Sequence, residues 1–135
     1  MGVFEREVYD VPDLEAKELL TVHQDIVIIA TVMAENDHGL LSKVLASVGQ
    51  SIDSADIHTM DKTEKRRIYT EKPCLVMCFG IHPRQLFLQI DNTPYGLRLV
   101  NNITYIFSRS LADLPSRAEE RRALWHALKR YYNIS

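Results

Sequence analysis

The polar residues best suited to chemistry form a loop between an apolar segment and an amphipathic one. The apolar run at 26–33 is rich in β-branched side chains, which favour a strand covered on both faces. The leucines and valines of 40–48 recur at the spacing of one helix face. Ligands of parallel sheets bind where strand ends meet helix starts. The polar side chains near the end of the first segment and before the second are therefore candidate site residues: Thr31, Glu35, Asn36, Asp37 and His38.

Two further features could contact an anion. Gly80 follows a second apolar run at 74–79, and a glycine at a strand-to-helix turn can let a phosphate approach the helix N-terminus. Tight packing is the alternative reason for this glycine. The charged connection at 61–67 is either a solvated loop or a phosphate contact. Its basic members form a candidate basic patch: Lys62, Lys65, Arg66 and Arg67.

The order of predicted elements is α-β-α-β-loop-β-α-β-β-α. Two buried strands with crossover helices imply a three-layer α/β/α domain, with a mostly parallel central sheet and an antiparallel hairpin edge. One domain is expected over 1–135, with an acidic N-terminal helix or arm at 1–24 and a core at 25–132.

Several local signals set the predicted boundaries. A short helix is expected from Pro12 to Leu20, and another is expected after Pro83, because proline suits a first helical turn. Asparagine tolerates positive φ, so Asn101-Asn102 predicts a two-residue hairpin. The last helix is expected to begin at about Pro115 or Ser116, with Ser116 as its cap and Glu119 as the capping-box partner.

Composition favours a soluble globular protein, with 46% hydrophobic and 25% charged residues. No apolar run approaches the roughly 20 residues that a membrane span needs, and the acidic N-terminus lacks a secretory signal. Cys74 and Cys78 are expected to be buried thiols in a reducing cytoplasm. The net charge of −2 combines −8 over residues 1–60 with +6 over 61–135. This asymmetry fits an anion-facing half, a self-complementary interface or two solvated faces.

The order of elements resembles the uracil-DNA glycosylase-like fold. In that family the first strand feeds a catalytic loop and then a helix that starts with Leu-Leu, as Leu40-Leu41 does here. A strand, glycine and helix phrase at 75–86 is also similar, as is the stretch at 105–125. The resemblance implies a cleft between the 31–38 loop and the segment that stands in place of the family's His-Pro-Ser motif: Ser108, Arg109 and Ser110.

The chain departs from that family where the chemistry is done. Glycosidic cleavage needs an oriented water and charge stabilisation at the leaving base. Glu35 or Asp37 could orient water and Arg109 could pair with an anion, but no histidine occupies the His-Pro-Ser position. Two cysteines cannot supply the four-cysteine iron–sulfur site of some members. The sequence therefore favours a non-enzymatic member with no catalytic residues, no metal and no cofactor.

The C-terminal stretch is similar to the psi subunit of bacterial DNA polymerase III. It shares a Leu-x-Asp-Leu turn at 111–114 and an Ala-Leu-Trp helix at 123–125. This resemblance implies a cytoplasmic DNA replication protein without chemistry. Such a protein bridges the clamp-loader assembly and pairs with a chi subunit that contacts single-strand-binding protein.

Three hypotheses follow. The favoured one is a non-enzymatic binding module, in the form of a psi-like replication accessory subunit with a protein partner. The second is a divergent nucleobase glycosylase or nucleotide-binding enzyme. The third is a small-anion-binding α/β domain, although the G-x-G-x-x-G and Walker A motifs are missing. Nucleic acid is a further partner class because of the basic second half, no membrane partner is expected, and the oligomeric state is left open.

Overall fold

The computed structural model describes residues 19–31 and 33–134. Within them the chain forms strands, two α-helices and three short 3₁₀ turns. The strands are Leu19–Thr21 (β1), Ile26–Ala30 (β2), Ala55–Thr59 (β3), Arg67–Tyr69 (β4), Cys74–Phe79 (β5), Arg98–Val100 (β6) and Ile103–Ser108 (β7). The α-helices are Glu35–Ala46 (α1) and Ala118–Tyr131 (α2). The 3₁₀ turns are Ile52–Ser54, Pro83–Leu86 and Leu114–Ser116.

The central sheet has the strand order β3-β2-β5-β7-β6. Its first four strands are parallel, and β6 pairs antiparallel with β7 at one edge. A separate two-stranded sheet joins β1 and β4 in parallel. The predicted mixed α/β class, the mostly parallel sheet and the antiparallel hairpin edge are thus confirmed.

Strands β2 and β5 are buried at every residue, which explains their unbroken apolar sequence. Successive side chains of a strand point to opposite faces. One set, which includes Ile28 and Met77, packs on Leu41 and Leu45 of α1 and Leu128 of α2. Both α-helices therefore lie on the same face of the sheet.

The opposite face is covered differently. Val27 and Val76 pack there with Val22, with Ile68 of β4 and with Leu86 of a 3₁₀ turn. Cys74 and Cys78, also on this face, are free and buried, and burial raises the pKa of both thiols. Because no second helical layer occurs among the described residues, the uracil-DNA glycosylase-like three-layer arrangement is not confirmed and stays a prediction.

The helix predicted after Pro83 is a single 3₁₀ turn. It ends at Leu86 and is followed by the C-cap Phe87, which has a left-handed φ of 60°. The side chain of Gln85 is buried and donates hydrogen bonds to the carbonyl oxygens of Asp61 (2.8 Å) and Glu64 (3.1 Å). These tertiary bonds hold the turn against the 61–67 connection in place of a longer helix.

Two predicted helix boundaries are also wrong. Leu19 and Leu20 lie in strand β1 rather than at a helix end, and the rest of the predicted N-terminal helix falls outside the described residues. Ser116 belongs to a 3₁₀ turn, where its hydroxyl donates to the carbonyl of Asp113 at 3.1 Å. Helix α2 instead begins at Ala118 without a side-chain cap. No helix of the described chain is long and apolar enough to cross a membrane.

The hairpin prediction is confirmed. Asn101 and Asn102 have φ values of 50° and 70° and connect β6 to β7. Two consecutive positive φ angles match the right-handed twist of the flanking strands. This turn fixes the register that places Val100 opposite Ile103.

Replacing Asn102 with valine should lower the free energy of unfolding by about 1–2 kcal/mol, because a β-branched residue is strained at positive φ. Urea denaturation measures the change. Asn102→Gly serves as the control and should match or exceed the wild type. Equal stability of the valine and glycine variants would contradict this view of the turn.

Candidate functional site

Three parallel strands end side by side, and their carboxyl ends form what is called here the sheet edge. Ala30, Phe79 and Ser108 are register partners across β2, β5 and β7. The segments that follow them contain candidate residues of the predicted cleft, namely Thr31, Gly80 and 108–110. The sheet topology therefore brings together three segments that are distant in sequence.

Gly80 is closely surrounded at this edge. Its φ is +75°, and a Cβ placed on it would lie 3.2 Å from the Cβ of Ser110 and 3.4 Å from Oγ1 of Thr31. Its N–H donates to the carbonyl of Ser108 at 3.0 Å. Close packing of the strand ends thus accounts for the glycine, and a cradle for phosphate is not needed to explain it.

One cavity, of about 410 Å³, lies beside the start of α1. Its wall includes Thr31, Asn36, Asp37 and Ser110. Asp37 is 8% exposed, and its carboxylate accepts a hydrogen bond from the N–H of Ala34 at 2.9 Å, which stabilises the first turn of the helix. The Ser110 hydroxyl donates to the Asp113 carboxylate at 3.1 Å. Two polar side chains of this wall, Asp37 and Ser110, therefore already have partners within the chain.

Two residues of the predicted cleft point elsewhere. Glu35 and His38 are exposed on α1, and neither belongs to the wall of this cavity. The helix turns by about 100° per residue, so only some positions of its first turn face the sheet edge. Asn36 and Asp37 take those positions.

A second cavity, of about 430 Å³, lies between β5, β7 and the start of α2. Its wall includes Gly80, His82, Ser108, Arg109 and Glu120. Nε of Arg109 is 3.2 Å from Oε2 of Glu120, so the guanidinium already has an anionic partner. The Nδ1 of His82 accepts a hydrogen bond from the N–H of Arg84 at 3.1 Å, as a cap of the 3₁₀ turn.

Tyr95 lies beside Ser108, Arg109 and Glu120, and these four residues are called the Glu120 cluster. Its hydroxyl lies 3.4 Å from the Ser108 hydroxyl. A hydrogen bond from Tyr95 lowers the pKa of Glu120, and Arg109 lowers it further. Burial raises the pKa of Tyr95, and its hydrogen bond to Glu120 raises it too. The cluster thus places a phenol, a carboxylate and a guanidinium together, with the Arg109–Glu120 ion pair as its closest charged contact.

Sequence reasoning missed three residues of this region. Tyr95 and Glu120 come from a turn and a helix far apart in sequence, and no local pattern links them to Arg109. Gln85 had a usable signal, because a glutamine three residues after a capping side chain is the pattern of a capping box. The backbone N–H of His82 donates a hydrogen bond to the side-chain amide oxygen of Gln85 at 3.1 Å.

The four residues of the predicted basic patch do not form one surface with the cleft. Lys62 and Lys65 are exposed. Arg66 forms an ion pair with Glu64 at 3.1 Å and lines a cavity beside His58. Arg67 lies 4.9 Å from the ring centroid of Phe87 and lines a separate groove. The side chains are therefore divided among different environments.

Among residues 19–31 and 33–134, no group of three or more His, Cys, Asp or Glu side chains could hold a metal ion.

Substitution of Gly80 by alanine should lower the free energy of unfolding by about 1–2 kcal/mol, because φ is positive there and the methyl group would press on Ser110 and Thr31. Gly39 is the matched control, since it lies in α1 with nothing within 4 Å of its would-be Cβ. Gly39→Ala should raise stability by up to about 1 kcal/mol. Thermal unfolding measures both, and changes of the same sign would contradict the packing argument.

The Glu120 cluster predicts a pH-dependent contribution to stability. The pKa of Glu120 in the folded chain lies below its ordinary value of 4.5. Its contribution is therefore full above that value and is lost as the pH falls through the folded pKa. Glu120→Gln should destabilise the chain more at about pH 7 than at about pH 3, as measured by urea unfolding.

Glu119→Gln provides the control for that measurement. Glu119 is the exposed neighbour of Glu120 in the first turn of α2, so it experiences the same helix dipole. An equal loss of pH dependence in both variants would show that the ion pair with Arg109 and the bond from Tyr95 do not matter.

The family model described as DNA polymerase III psi subunit matches residues 1–130. No curated protein matches the sequence.

Proposed function

The chain belongs to the DNA polymerase III psi subunit family, and we propose that it is a non-catalytic accessory subunit that binds other protein subunits of the polymerase assembly. The observation that carries the proposal is the family match, because it spans residues 1–130 of 135. It covers the sheet, α1 and nearly all of α2. A replication role therefore applies to the domain as a whole.

The state of the sheet edge supports a binding role over a chemical one. Hydrolysis of a glycosidic bond needs a group that stabilises the departing base and a carboxylate that orients water. Here Arg109 is paired with Glu120, and Asp37 accepts a backbone hydrogen bond from Ala34. These contacts fix helix starts and strand ends, which is the use expected of polar groups in a scaffold.

The psi-like resemblance of 111–125 also suggests which subunit to test. We propose that the partner is a chi subunit, which would connect this chain to single-strand-binding protein, and that the complex works in the cytoplasm. We also propose that residues 1–135 form a single domain with an N-terminal helix or arm at 1–24 and a uracil-DNA glycosylase-like three-layer fold. The glycosylase activity has no supporting observation at the sheet edge.

A reconstitution experiment tests the proposed function. The purified full chain is mixed with the chi subunit and, separately, with the remaining DNA polymerase III subunits of the same cell, and each mixture is analysed by size-exclusion chromatography with light scattering. We expect a stable complex with at least one subunit at micromolar concentration. If the chain forms a complex with none of these subunits, the proposal is contradicted.

The same preparation is assayed for base release from a uracil-containing oligonucleotide, beside an authentic uracil-DNA glycosylase as positive control. We expect no release above that of buffer. Release that disappears in Asp37→Asn would instead favour the divergent enzyme.

A further inference from the structure

Helix α2 has two very different sides. Leu124, Ala127 and Leu128 are buried against the central sheet. The outward side carries four residues at i, i+3, i+4 and i+7, which share one face of a helix. This Trp125 face consists of Arg122, Trp125, His126 and Lys129.

Trp125 is an exposed aromatic side chain in a fixed setting. It is 36% exposed, and Nζ of Lys129 lies 4.2 Å from its ring centroid. The ring of His126 lies 5.3 Å away at a tilt of 40°. These contacts restrict the indole before any partner arrives, so little conformational entropy remains to be lost on binding.

The surroundings of the indole are cationic. Arg122 is exposed, and no ion pair between described residues involves it or Lys129. Arg130, on the adjoining side of the helix, is also exposed and uses Nη2 to contact the carbonyl of Tyr95 at 3.3 Å. Tryptophan and arginine are the residue types most enriched at energetic centres of protein interfaces.

We propose that the Trp125 face is the docking surface for a protein subunit whose own surface presents an apolar pocket rimmed by carboxylates. The pocket receives the indole, and the carboxylates pair with Arg122 and Lys129. This inference rests on the proposed function, because it takes the partner to be a subunit of the polymerase assembly. It adds the location and the chemistry of the contact.

A single-stranded nucleic acid is the competing occupant of a basic, aromatic helix face. Bases bind such surfaces by stacking on an open aromatic ring. Lys129 lies over the ring of Trp125 and would have to be displaced before a base could stack there. A protein pocket can instead receive the exposed part of the indole while a carboxylate at its rim pairs with Lys129 in place, so the geometry favours a protein.

The experiment uses the purified polymerase subunit that the wild-type chain binds. It measures the dissociation constant of the complex that this subunit forms with the wild-type chain and with each variant. Trp125→Ala should weaken binding by at least about 30-fold, as expected for a central tryptophan. Arg122→Glu should slow association and reduce its salt dependence, because it removes a rim charge. Lys129→Gln tests the same rim with a side chain of similar size.

Matched controls lie on the opposite face of the sheet. Tyr69→Ala removes another exposed aromatic ring, and Arg84→Glu reverses another exposed charge. Both should bind within about twofold of the wild type, since rim or remote residues carry little binding energy. Circular dichroism checks that every variant is folded. Arg122→Glu and Lys129→Gln keep the test decisive if Trp125→Ala unfolds.

The outcomes are separable. Loss of binding confined to the α2 variants supports the proposal. If the wild type binds a subunit and the α2 variants bind it equally well, or the Tyr69 and Arg84 variants lose as much, the docking surface is wrong while the proposed function stands. If the wild type binds no subunit, both fail. Binding of a single-stranded oligonucleotide that is lost only in the α2 variants, with subunit binding intact, would assign this face to nucleic acid.

Discussion

The structure depends on two strands that must be shielded from water on both sides. Every residue of β2 and β5 is buried, so neither face of the sheet centre can be left open. Burial of apolar surface contributes roughly 25 cal/mol per Å², and these strands supply the centre of that surface. The two faces of the sheet are covered by different elements. Two α-helices cover one face, and short strands with a 3₁₀ turn cover the other.

The parallel arrangement of these strands has a second consequence. It collects polar side chains at one sheet edge, which is where ligand sites of α/β proteins usually lie. In this chain the edge is tightly joined instead. A Cβ on Gly80 would lie only 3.2 Å from the Cβ of Ser110, and Arg109 forms an ion pair with Glu120. Buried or partly buried polar groups must find partners, and here those partners come from the chain itself.

Helix α2 links the core to the surface on which we place the function. Its inner side supplies Leu124 and Leu128 to the core, which holds the helix firmly in position. Its outer side can then present Trp125 at a defined angle. A rigid helix with a fixed aromatic side chain loses little entropy on association. This difference between the two sides fits a subunit that acts by binding, with the sheet serving as the support.

The sequence by itself determined the features that depend on local physics. The apolar run at 26–33, together with the Leu and Val spacing of 40–48, predicted β2 and α1 because burial on one or two faces leaves a period in the sequence. Asn101 and Asn102 predicted their hairpin because few other residues tolerate positive φ.

Tertiary structure decided the rest. Strands β1 and β4 are three residues each and pair across more than forty intervening positions, so no local pattern marks them. The turn after Pro83 stays short because Gln85 bonds to carbonyl oxygens of another segment. Trp125 is exposed because the sheet covers the side of α2 that carries Leu124 and Leu128. Such features depend on contacts between segments distant in sequence, and periodicity records only the burial of each segment by itself.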